Sequence, residues 1–196
     1  MVDPKVTVFV ATGAWDTGKT TTLRALSEVS GIRVHDEAHN RVLRRLGVRT
    51  HGHAPDEPLS YIDSPEHLCP VCTPGAFAER VLAEQARIEE AALPGEFLER
   101  GYLDPLEYMK HHAPRVERVP AAWRPRVHYG AVFLFALLPD VQRSRWGKTI
   151  GHREREARRI NIALEEAYQA AGHQVVRVPA GTVAERVKRL LAHLQI

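Results

Sequence analysis

Cysteine is scarce in this chain: there are two in 196 residues, Cys69 and Cys72. That number rules out a disulfide-stapled fold, which needs several bridges in a secreted chain. Long apolar runs are also missing. The longest strongly apolar stretch, Ala131 to Leu138, falls far short of the roughly 18 residues that span a bilayer and reads as a buried strand. No internal repeat or low-complexity tract is visible. The opening residues place Asp3 ahead of the first apolar run, whereas a secretory leader starts basic and ends in small residues, so the expected location is the cytoplasm. With 44% hydrophobic and 26% charged residues, the chain is expected to fold as one domain over residues 1–196.

Lys5 to Ala11 is apolar and β-branched on both faces, as a central parallel strand covered by helices must be. From Lys19 the pattern turns helical, with Leu23 and Leu26 on one face and Gly31 as a stop. Ile32 to His35 reads as a short second strand, and Glu37 to Leu46 as a helix carrying Val42, Leu43 and Leu46. The pattern then breaks. Residues 50–75 are rich in Pro, His and Gly, and an irregular stretch of that length reads as an insertion over the substrate side. Phe77 to Leu93 returns to helix and ends at Pro94-Gly95, ahead of a third strand over Glu96 to Arg100. Ala131 to Leu138 is the fourth strand. A basic stretch from Arg143 merges into a helix with Ile160, Leu164 and Tyr168 on one face. Gln174 to Pro179 is the fifth strand, and a closing helix carries Val183, Val187, Leu190 and Leu194. Alternating strands and helices predict a three-layer α/β/α sandwich around a mostly parallel five-stranded sheet. Its ligand site belongs beyond the carboxyl ends of the strands, where the loops after Ala11, His35 and Arg100 gather.

Gly13-Ala14-Trp15-Asp16-Thr17-Gly18-Lys19-Thr20 has the spacing Gly-x4-Gly-Lys-Thr between a buried-type strand and a helix. The glycines let the backbone curl so that its N–H groups point at phosphate oxygens, and the helix that follows adds the positive end of its dipole. Lys19 reaches the β- and γ-phosphates, and the Thr20 hydroxyl serves Mg²⁺. The candidate nucleotide-binding set is therefore Gly13 to Thr20, with Thr21 beside it. Asp16 is an unusual charge next to phosphates and could point toward the acceptor instead. The modest net charge of +3 is accounted for by such a site.

The loop, the Asp36-Glu37 pair, the segment Phe97 to Pro105 and the Arg-rich stretch before a Tyr-bearing helix together resemble the P-loop nucleoside and nucleotide kinase-like NTPases. The likeness is to the small AAA-type ATPase and kinase group near ribosylnicotinamide kinase. It implies an ATP- and Mg²⁺-dependent phosphotransferase acting on a hydroxyl of a small, nucleoside-like acceptor. Phosphoryl transfer to a hydroxyl needs a carboxylate on the acceptor side. The resemblance assigns that role to Glu37, with Asp36 as the alternative, since a one-residue error in the strand end exchanges them. The group commonly ends its third strand in Asp-Arg. Here Glu99-Arg100 stands in its place, making Glu99 a candidate for Mg²⁺, directly or through water, and Arg100 a candidate for acceptor or phosphate. Asp104 either caps a helix or contacts substrate. A basic lid over residues 141–158 is implied, with Arg145 and Arg153 closing over the triphosphate; a solvated face paired with Glu154 and Glu156 is the alternative. Gly181, in the turn after the last strand, falls where related folds hold the adenine.

Cys69 and Cys72, with His67 and His53 nearby, form half of a ligand set for structural Zn²⁺, or else remain two reduced thiols. Two other functional classes stay open. One is a regulatory NTP-hydrolysing switch with a protein partner, of which a GTPase version lacks the Asn-Lys-x-Asp guanine signature. The other is a kinase acting on nucleic-acid ends, which the basic lid permits. Nothing in the sequence fixes the oligomeric state.

Overall fold

The computed structural model describes residues 3–45, 74–112, 125–139 and 150–195. Five strands form one sheet: β1 Asp3–Thr12, β2 Val34–His35, β3 Phe97–Glu99, β4 Val127–Phe135 and β5 Val175–Val178. Their order across the sheet is β2-β3-β1-β4-β5, and all four pairings are parallel. The helices among the described residues are α1 Lys19–Ser30, α2 Ala38–Arg45, α3 Pro74–Ala91, α4 Leu103–His112, α5 Ile150–Ala170 and α6 Val183–Leu194.

The central strand explains the layering. Successive side chains of β1 point to opposite faces of the sheet. Val8 and Val10 therefore enter a core with Val42 of α2, Val81 and Ile88 of α3 and Ile160 and Leu164 of α5. Phe9 and Ala11 face the other way, toward Leu23 and Leu26 of α1 and Val187 and Leu190 of α6. Both faces are covered, so the strand has to be apolar throughout. On the α1–α6 side, Phe9, Phe97 and Phe133 bring their ring centroids within 5.4 to 6.2 Å of one another across three adjacent strands.

The element boundaries shift for physical reasons. The fourth strand begins at Val127, ahead of the apolar run, because its first residues alternate: Val127 and Tyr129 are buried while His128 is exposed. It ends at Phe135, before Leu138. Pro74 and Gly75, expected as the end of the insertion, already belong to α3; Pro suits a first helical turn because its missing N–H would be unpaired there anyway. The third strand is the short Phe97–Glu99. Gly31 ends α1 as expected, at φ 71°, its N–H donating to Ser27 O over 2.9 Å. None of the described helices is long and apolar enough to cross a membrane.

Candidate functional site

The loop from Thr12 to Lys19 leaves the carboxyl end of β1 and enters α1 through Gly18. Gly18 is the N-cap, with φ 74° and ψ 19°, a left-handed conformation that glycine adopts without steric cost. Gly13 sits at φ 137°, and a Cβ there would come within 2.9 Å of Phe135 O. Lys19 is buried and turns back into the loop. Its Nζ donates to Gly13 O at 3.0 Å, Ala14 O at 2.7 Å and Thr17 Oγ1 at 3.1 Å. Burial, reinforced by the Arg100 charge, lowers its pKa to about 7. An ammonium held this way gains from any anion entering the loop, so the residues present fit a phosphate chain.

Beside the loop, Thr20 Oγ1 donates to Glu99 Oε1, joining the start of α1 to the end of β3. Burial raises the Glu99 pKa, with the Glu37 charge adding to it, while Thr20, Lys19 and Arg100 act against the rise. A hydroxyl and a carboxylate meeting at the mouth of the loop are hard oxygen donors of the kind Mg²⁺ takes.

Arg100 is the hub of the ion pairs beside the loop. Its backbone is left-handed at φ 73°, a conformation that costs a non-glycine residue about 1–3 kcal/mol unless its surroundings hold it. Arg100 N donates to Ala11 O at 2.9 Å, and Gln85 Nε2 to Arg100 O at 3.3 Å. The guanidinium places Nε 2.6 Å from Glu37 Oε1, while Nη1 lies 2.9 Å from both Asp104 Oδ1 and Gly13 O. It also stacks 4.7 Å from the Tyr108 ring centroid. Burial alone would raise the Glu37 pKa, but the Arg100 guanidinium overrides it, with His39 and Lys19 assisting, and the net shift is downward. Glu37 is thus an ionised carboxylate joined through Arg100 to Gly13 of the phosphate loop.

The neighbouring candidates divide. Asp36 points away: its side chain is 64% exposed and pairs with Arg44 at 2.8 Å. Asp104, 0% exposed, lies in the first turn of α4 and accepts from four donors. These are Thr12 Oγ1 at 2.7 Å, Arg100 Nη1 at 2.9 Å, Gly101 N at 3.1 Å and Tyr168 OH at 2.7 Å. A carboxylate has about four acceptor positions, so Asp104 is filled by its own fold and supports Arg100 from behind. Gly181 is exposed, at the turn where Thr182 and Glu185 form a capping box for α6.

Helix α5 brings Arg153 to the loop. Its Nη2 lies 3.3 Å from Asp16 Oδ2 and its guanidinium 5.2 Å from the Trp15 ring. Asp16 itself is left-handed, at φ 57°. The same helix is also the solvated face: Arg158 pairs with Glu154, and His152 lies 3.3 Å from Glu156. Arg145, like residues 141–149 of the expected lid, lies outside the described residues, as do His53, His67, Cys69 and Cys72. Among the described residues no group of three or more His, Cys, Asp or Glu could hold a metal.

Two contributors escape the sequence. Asn161 of α5 accepts from Ala14 N at 2.5 Å through Oδ1 and donates to Phe135 O at 2.9 Å through Nδ2, tying the phosphate loop to the end of β4. Arg186 of α6 donates to Thr17 O at 2.7 Å through Nη1. Asn161 lies one position from the apolar stripe Ile160, Leu164 and Tyr168, and an isolated Asn beside such a stripe carries no functional signal.

A family model described as an AAA domain matches residues 8–186. The chain belongs to this AAA domain family. Solved structures agree with the fold. One is the NadR protein in complex with NR, at TM-score 0.63 and 12% identity; the match covers 98% of this chain and 52% of that one, so this chain spans about half of it. The deoxyadenosine kinase from M. mycoides with bound dATP is similar at TM-score 0.60 and 13% identity, over 97% of this chain and 100% of that one. The shikimate kinase from Acinetobacter baumannii in complex with shikimate gives 0.55 and 13%, over 97% and 93%. These likenesses show the three-layer fold of P-loop kinase-like NTPases. No curated protein matches the sequence.

Proposed function

We propose that the protein is an ATP- and Mg²⁺-dependent phosphotransferase that moves the γ-phosphoryl group to a hydroxyl of a small, nucleoside-like acceptor. The observation that carries this reading is the Arg100 bridge. One guanidinium joins the ionised Glu37 to Gly13 O, so a carboxylate able to take a hydroxyl proton is fixed against the phosphate cradle. In an NTP-hydrolysing switch the same carboxylate would orient water, and a panel of acceptors separates the two readings. In the proposed reaction Glu37 accepts the proton as the acceptor oxygen bonds to the γ-phosphorus, and the bond to the bridging oxygen of ADP breaks. Lys19 leaves the loop carbonyls for phosphate oxygens, and Arg153, with Arg145, adds positive charge over the triphosphate. Gly13 to Thr21 wrap the phosphates, and Gly181 adjoins the base. Thr20 and Glu99 would hold Mg²⁺, which neutralises phosphate charge.

Residues 1–196 act as one kinase-like domain in this reading, with Trp15 bordering the acceptor, while the Tyr102 ring packs among Tyr129, Tyr168 and His173. Kinship of fold with nucleoside and shikimate kinases supports a small acceptor and leaves its identity to experiment. The test is ADP formation with ATP, Mg²⁺ and a panel of nucleosides, vitamins, hydroxy acids and oligonucleotides. Turnover stimulated by one small-molecule class is expected. ADP formation indifferent to every acceptor would point to the switch.

A further inference from the structure

Arg186 is a buried cation that meets no carboxylate among the described residues. It is 4% exposed, and its guanidinium donates from Nη1 to Thr17 O at 2.7 Å. Its Nε is buried without an acceptor among the described residues. The guanidinium lies 5.9 Å from the Phe135 ring centroid. Burial accordingly depresses its pKa below the ordinary arginine value. The guanidinium lies directly against Gly18, where a Cβ would come within 2.9 Å of both Nη1 and Nη2. Gly18 is the N-cap of α1, so its neighbours are the backbone N–H groups that cradle phosphate. Taking an unpaired charge out of water is costly, and such charges are normally paired or turned to use.

We infer that Arg186 is an additional phosphate-binding residue, delivered from α6 to the Gly18 side of the loop, whose missing counter-ion is the triphosphate itself. This rests on the NTP-binding reading above. With nucleotide present, the guanidinium and Lys19 neutralise the phosphate chain from two sides, and α6 closes on the loop through that anion. Without nucleotide, the buried charge is a local cost to the fold. Binding and stability therefore respond to its removal in opposite directions, which a merely structural arginine would not do.

The experiment uses Arg186→Met, which keeps the aliphatic stem, and Arg186→Lys, which keeps the charge. Calorimetric titration is performed with Mg²⁺ and a non-hydrolysable ATP analogue, and separately with Mg²⁺ and inorganic tripolyphosphate; the Tm of the ligand-free protein is measured alongside. Arg186→Met is expected to weaken both ligands by about ten- to hundredfold, as loss of a charge-assisted contact does. Its ligand-free Tm should be unchanged or higher, and Arg186→Lys should recover part of the affinity. Binding within about twofold of the parent protein would overturn the inference. So would a lowered ligand-free Tm, the mark of a structural latch, or a loss confined to the ATP analogue, the mark of a base contact. A parent protein that binds neither ligand would overturn the nucleotide reading as well.

Discussion

At the scale of single residues, Lys19 makes the sharpest predictions. Its pKa near 7 lies well below the ordinary lysine value, so between about pH 7 and pH 10 the unfolded chain binds more protons than the ligand-free fold. Stability of the ligand-free protein should therefore rise with pH through that window and fall as pH drops toward 7. Urea unfolding at a series of pH values reads the slope, and Lys19→Met should flatten it. A phosphate chain beside the ammonium restores the charged form. Binding of the Mg²⁺–ATP analogue at pH 8 should therefore take up a proton, measured by calorimetry in buffers of different ionisation enthalpy, and uptake should vanish near pH 6.

Glu37 and Asp36 separate equally clearly. Glu37→Gln should lower kcat by about 10²- to 10⁴-fold, the usual contribution of a positioned base, with analogue binding retained. Asp36→Asn removes only an exposed pair with Arg44 and should cost about 0–1 kcal/mol of stability, with kcat unchanged. The sequence narrowed this choice to two adjacent acids and stopped there. Deciding between them takes the side-chain direction at the end of β2, which depends on Arg100 arriving from a different strand.

At the scale of elements, α5 is the buttress of the site. Arg153, Asn161 and Tyr168 fall on one side of the helix, and each meets a different part of the site: Asp16, Ala14 N and Asp104. Their spacing is that of a helix face, which is why Tyr168 read from the sequence as core. It is buried, and its hydroxyl also completes the ring of donors around Asp104. Asn161→Ala would leave Ala14 N and Phe135 O without their partner. It should destabilise the fold by about 1–3 kcal/mol for each group left unpaired and raise KM for ATP more than it lowers kcat. Urea unfolding and initial-rate kinetics check the two halves of that statement. The strands and helices themselves were largely legible, because buried parallel strands and amphipathic helices write their period into the residues. Element ends were less so, as at the start of β4, where alternation hid a strand end, and at Pro74-Gly75, which begin α3. Residues such as Asn161 and Arg186 leave no such trace, since one polar side chain on a helix looks the same whether it meets water or a loop from another layer.

At the scale of the whole molecule, the strand order β2-β3-β1-β4-β5 explains how a site arises from distant parts of the sequence. β1 lies between β3 and β4, so its loop is met by Glu99 and Arg100 from one side and by Phe135 and Asn161 from the other. The phosphate loop was legible from eight consecutive residues because its chemistry is local. The cluster proposed to serve the acceptor is assembled by topology, with Glu37, Arg100 and Asp104 converging only once the sheet is ordered. In the proposed reaction this convergence transfers phosphate to a hydroxyl rather than to water. Its most direct test follows γ-labelled ATP by ³¹P NMR in the presence of the acceptor that stimulates ADP formation. The label is predicted to appear as a phosphate ester of that acceptor, in step with ADP and lost in Glu37→Gln. Label recovered entirely as inorganic phosphate would contradict the account.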